Sequence, residues 1–168
     1  MDLHMHSTDS RRQPDWPAAA VAGLAAGAVL MVLELFWSTL ITGDSPWRAS
    51  HMIAAIVMGP EVLPSSHFSL SIVAVALLAH YLLGTLFGLL LAAIMVPLRL
   101  DSTLATMALV GALFGGALYL LNFYGMVQFF PWFASWRGAA TLVTHLIFGI
   151  LAALFYWKLN RHGADRQR

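Results

Sequence analysis

The chain has 168 residues, 60% hydrophobic and only 10% charged, with nine Lys or Arg against eight Asp or Glu. Mean hydropathy is +0.76, and soluble domains carry about 25% charged residues, so the composition excludes an ordinary water-soluble globule. A net charge of +1 gives no ground for nucleic acid as a partner, and the absence of cysteine excludes a disulfide framework, thiolate ligands and thiol nucleophiles.

The first fifteen residues are polar and mixed in charge, and the apolar stretch after them is too long for a signal-peptide core. A bilayer span needs about 20 apolar residues. Four segments meet that length: 17–42, 68–98, 103–124 and 138–158. Pro17 stands where a helix start tolerates proline. The second segment exceeds the bilayer's need and is expected to tilt or project. Between the first two spans lies His51–Gly59, too short to cross and stopped by Pro60. It is expected as a short helix in the interface or folded back on the bundle. The expected fold class is all-α: a polytopic membrane four-helix bundle from two tandem helical hairpins, plus this interfacial helix. Residues 1–16 and 159–168 are expected as flexible cytoplasmic tails around a transmembrane domain at 17–158.

Charge asymmetry orients the spans. Arg11, Arg12, Arg99, Lys158, Arg161, Arg166 and Arg168 fall on one side, and only Arg48 and Arg137 on the other. The excess of basic residues puts both termini in the cytoplasm. Trp47 and the run Phe129, Phe130, Trp132, Phe133 and Trp136 occupy the outer loops, where aromatics favour the membrane–water interface.

The second half repeats the first. Gly23, Gly27, Glu34 and Phe36 in span one match Gly111, Gly115, Asn122 and Tyr124 in span three without a gap. His80-x3-Gly84 in span two matches His145-x3-Gly149 in span four. Two helices per unit give both units one orientation and predict a pseudo-two-fold axis along the membrane normal. At helical steps of three and four, Gly23, Gly27, Leu30 and Glu34 share a face. So do Gly111, Gly115, Leu118 and Asn122; His80, Gly84 and Gly88; and Thr141, His145 and Gly149. Small residues let membrane helices approach closely and also permit a homodimer or a larger membrane complex. Each polar intramembrane residue therefore falls on the stripe expected to face the interior, roughly 20–31 Å from the cytoplasmic end of its helix.

With its glycine-rich first helix, the short segment HMIAAIVMGP, and the helices His80-Tyr-Leu-Leu-Gly84 and His145-Leu-Ile-Phe-Gly149, the chain resembles small four-helix bacterial inner-membrane proteins that are loosely YagU-like. The resemblance covers about Val21 to Trp157. It implies a multi-pass protein of the bacterial inner membrane; a role in acid tolerance has been suggested within that family, without a mechanism, and no catalytic residues carry across.

Glu34 is an acid in an apolar run with no basic neighbour in sequence, and an acid at bilayer depth costs about 2.5–3.5 kcal/mol on insertion scales. It is a candidate for a polar packing lock, for proton handling, or for pairing with His80, His145 or Arg48. His80 and His145 are candidates for interhelical hydrogen bonds, worth about 0.6 kcal/mol on average. They could also be axial ligands of haem b, or transition-metal ligands with Glu34. Arg48 and Arg137 could then hold haem propionates. Asn122 reads as a helix–helix hydrogen bond. His51 and His67 read as solvated, and the His4, Met5, His6 cluster as incidental. No phosphate loop, nucleophile–base triad or zinc-protease motif is present. The reading that results is a non-enzymatic integral membrane protein, accessory or serving envelope homeostasis, with haem or metal binding and proton conduction through Glu34 as alternatives.

Overall fold

The structure is a computed structural model that describes residues 12–41 and 43–166. Five α-helices occur among them: α1 (Trp16–Leu40), α2 (Arg48–Met58), α3 (Leu70–Met95), α4 (Leu104–Leu120) and α5 (Ala139–Arg166). No strand is present among the described residues. Helices α1, α3 and α5, and α4 with its continuation to Gln128, are long and apolar enough to cross a membrane. The chain is therefore a multi-pass membrane protein of the all-α class. Its outward surface agrees: Leu78, Leu82, Leu86 and Leu90 climb one face of α3 and are between 46% and 62% exposed. Water would penalise such a stripe, and lipid does not.

Helix starts follow local rules. The Asp15 side chain accepts from the Ala18 amide at 3.0 Å, with Pro17 in the first turn. Thr103 caps α4 in the same way through the Thr106 amide at 3.1 Å. The α3 end closes with the Arg99 amide on Val96 O (3.1 Å) and the Leu100 amide on Met95 O (2.9 Å). Arg99 sits at φ 56°. Paired bonds of this kind with a left-handed residue form the Schellman stop, here with arginine in glycine's usual place.

The described end of the N-terminal segment contacts the bundle. Arg12 pairs with Asp101 at 3.1 Å, and the Asp15 amide donates to Tyr156 Oη at 3.2 Å. Helix α5 runs on to Arg166 instead of ending near 158, because nothing in 159–166 breaks a helix except Gly163. His4, Met5 and His6 lie outside the described residues.

Two antiparallel hairpins organise the bundle, α1 with α3 and α4 with α5. Their seams use equivalent positions. Gly23 faces the backbone of Gly84 and Gly88, and Gly111 faces the backbone of Gly149. One step up, Gly27 faces Gly84 and the His80 ring, and Gly115 faces the backbone of His145. A side chain at Gly23, Gly111, Gly115 or Gly149 would collide with backbone that cannot turn aside.

The hairpins meet unequally: α1 packs along α5, whereas α4 barely touches α3. The insertion in the first unit accompanies this asymmetry. Helix α2 folds back on α3, and the second unit has no α-helix in the matching place, only 3₁₀ turns at Met126–Gln128 and Pro131–Trp136. At the end carrying both termini the core is solid, with Ala19, Ala26, Met95, Met107 and Ala153 fully buried. At the loop end the gap between α3 and α4 remains.

Candidate functional site

That gap is a chamber of about 470 Å³ at the loop end, within the size range of small-molecule sites. Glu34 from α1, His80 from α3, Asn122 from the end of α4 and His145 from α5 all line it. The helical period explains the meeting. Each residue stands one or two turns beyond a seam glycine, on the same face, where the hairpins begin to diverge. The rest of the wall is apolar or aromatic. Helix α2 contributes Met52, Ile53 and Ile56, and the second loop contributes Phe130, Phe133 and Trp136. The Trp132 indole N–H donates to Met52 O at 3.1 Å and fastens these two covers together.

A single π turn at Leu121–Gly125 ends α4. Its extra residue rotates the helix face, and both Asn122 and the buried Phe123 line the chamber. Periodicity does not reveal such a turn, because one inserted residue leaves no compositional mark.

Each histidine spends one nitrogen on the backbone. His80 Nε2 donates to Gly27 O at 2.8 Å, and His145 Nδ1 donates to Thr141 O at 2.8 Å. The carbonyls fix the tautomers, because a carbonyl can only accept. The other nitrogen of each ring has no hydrogen-bond partner among the described residues. The His145 ring is held edge-on by Tyr119 and Phe123, with centroids 6.2 Å and 5.3 Å away.

Glu34 is half-buried, and among the described residues no hydrogen bond or ion pair reaches its carboxylate. The anticipated pairing with His80, His145 or Arg48 is absent there. Asn122 likewise makes no hydrogen bond among the described residues and faces the chamber instead of a neighbouring helix. Arg48 pairs with Asp44 at 3.1 Å. Arg137 donates from Nε to Phe123 O at 2.6 Å and lies over the Tyr124 ring, 4.4 Å from its centroid. Both guanidinium groups are thus engaged within the protein.

Among the described residues no group of three or more His, Asp or Glu side chains is arranged to hold a metal ion. Glu34, His80 and His145 share a chamber without forming a three-ligand cradle. His51, read as solvated, is instead 2% exposed. Its Nδ1 faces Val62 O at 2.6 Å and its Nε2 faces His67 O at 3.0 Å. The sequence reading missed it because both partners are backbone atoms of a loop that periodicity does not describe.

A second, shallower cavity of about 260 Å³ adjoins the first. Asp44, Arg48, Arg137 and Thr141 line it, and Glu34 and Trp136 line both. Glu34 therefore stands between a more polar cavity and an apolar chamber.

No protein-family model, no curated protein and no solved structure matches this chain.

Proposed function

We propose that this chain is a non-enzymatic protein of the bacterial inner membrane that holds a small amphipathic molecule in its loop-side chamber. The observation that carries this reading is the convergence of Glu34, His80, Asn122 and His145 on one apolar cavity. Polar side chains that merely fastened helices together would be consumed by partners on those helices. Here Glu34 and Asn122 have no hydrogen-bond partner among the described residues, and each histidine keeps one nitrogen in reserve. Such groups fix the orientation of a ligand whose body occupies the apolar space. Both termini would be cytoplasmic by the distribution of basic residues, which puts the chamber at the outer leaflet. An accessory or envelope-homeostasis role, and the kinship with YagU-like proteins, belong to this proposal.

The test fills the chamber. Met126→Trp adds bulk to the wall beside Asn122. It should cut binding of a neutral fluorescent apolar probe such as N-phenylnaphthylamine at least tenfold in detergent. The variant should still elute as a monodisperse species with the helical signal of the parent. Equal probe binding by both proteins would end the chamber reading.

A second reading keeps haem b between His80 and His145. The observation in its favour is that each ring has a nitrogen free of protein partners, on different helices lining one cavity. That reading requires a Soret band in the purified protein that disappears in His80→Ala and in His145→Ala.

A further inference from the structure

We propose that the chamber takes a monovalent organic cation bearing apolar substituents, with Glu34 as its counter-charge. This rests on the chamber reading above and names the ligand's class. Among the described residues no Lys or Arg lines the chamber, and Glu34 is its one acidic side chain. Arg48 and Arg137 line the adjoining cavity with Glu34, but neither forms an ion pair with it: Arg48 pairs with Asp44 at 3.1 Å, and Arg137 donates to Phe123 O at 2.6 Å and lies over the Tyr124 ring. The Glu34 carboxylate has no partner of its own among the described residues. A carboxylate at the edge of a low-dielectric space gains most from an opposite charge brought by the ligand.

The walls fit the same chemistry. Phe123, Phe130, Phe133 and Trp136 line the chamber together with Glu34. Phe130 and Phe133 lie with centroids 5.4 Å apart and Phe123 and Phe133 5.7 Å apart, tilted rather than stacked. Ring faces at varied angles attract a diffuse positive charge through their quadrupoles. An anion would meet Glu34 and the negative ring faces together. The adjoining cavity is more polar, and Glu34 and Trp136 are common to both.

The experiment compares three probes of similar shape on the full chain in detergent by equilibrium dialysis: tetraphenylphosphonium, neutral triphenylphosphine oxide and tetraphenylborate. The parent protein should bind the phosphonium at least tenfold more tightly than the borate. Glu34→Gln, which keeps the side-chain shape, should lower phosphonium affinity at least tenfold and leave the oxide within twofold. Glu34→Asp should recover part of the loss. Equal phosphonium affinity in the parent and Glu34→Gln, or a preference for the borate in the parent, would overturn the cation assignment while the chamber reading survives on the oxide. The preference of the parent reads the sign of the site even where Glu34→Gln does not fold. Failure of the parent to bind any of the three would overturn both proposals together.

Discussion

At the scale of single residues, His51 and Glu34 show opposite fates for polar groups in an apolar chain. His51 is enclosed, and both of its nitrogens face carbonyl oxygens, Val62 O on one side and His67 O on the other. A neutral imidazole has one N–H to give, and only a ring protonated at both nitrogens donates to both. Either way the ring pins α2 to the loop leading into α3. Because the neighbouring Met52 and Ile53 line the chamber, the pin also fixes one chamber wall. Replacing His51 with Ala removes an enclosed ring, 2% exposed, and the N–H it gives to one of these carbonyls, a cost of about 1–3 kcal/mol. Thermal unfolding in detergent should show the corresponding loss, and protease should cut 59–67 faster than in the parent. An unchanged melt and digestion pattern would show that the ring is dispensable. Glu34 is the converse case: an ionisable group that the protein leaves without an internal partner among the described residues.

At the scale of helices, stability depends on backbone meeting backbone. The α4–α5 seam closes at Gly111 and Gly149 so tightly that a methyl group on either would overlap the other's main chain. In a bilayer no hydrophobic effect drives helices together, so this close packing is the main attraction. Gly116, one residue from the seam, meets only the tip of Leu146 at 3.6 Å. Gly111→Ala should therefore destabilise by about 1–3 kcal/mol through overpacking. Gly116→Ala should be neutral or stabilise by up to about 1 kcal/mol, since alanine favours the helix. Denaturation in mixed detergent micelles reads both, and equal effects would refute the seam argument. The same contacts bear on assembly. Glycines that the sequence offered as dimer seams are used inside the chain, so a homodimer would need another face.

At the scale of the whole molecule, the two ends differ in kind. The loop end holds two adjoining cavities, and Glu34 and Trp136 are common to both. The terminal end is filled by Leu91, Met95, Met107 and a ladder of alanines with almost no exposed surface. Ions entering the chamber would meet packed hydrocarbon, which opposes the conduction alternative. Liposomes carrying the protein should pass protons no faster than liposomes carrying Glu34→Gln. A clear excess in the parent would require that the terminal half open.

Much of this was legible in the sequence, and for definite reasons. Composition and the length of apolar runs determine membrane spanning, because the bilayer demands about 20 residues per helix and internal hydrogen bonding throughout. The glycine, glutamate and histidine spacings place polar groups on the helix faces that carry the small residues, because a helix returns to the same face every three to four residues. The sequence by itself therefore determined the four spans, the hairpin pairing and the helix faces on which Glu34, His80, Asn122 and His145 lie. Tertiary structure alone decided how the hairpins lean on each other, where the π turn falls, which carbonyls enclose His51, and that Arg48 and Arg137 are already engaged. These depend on contacts between residues distant in the chain, through backbone atoms that every residue possesses and no side-chain pattern marks.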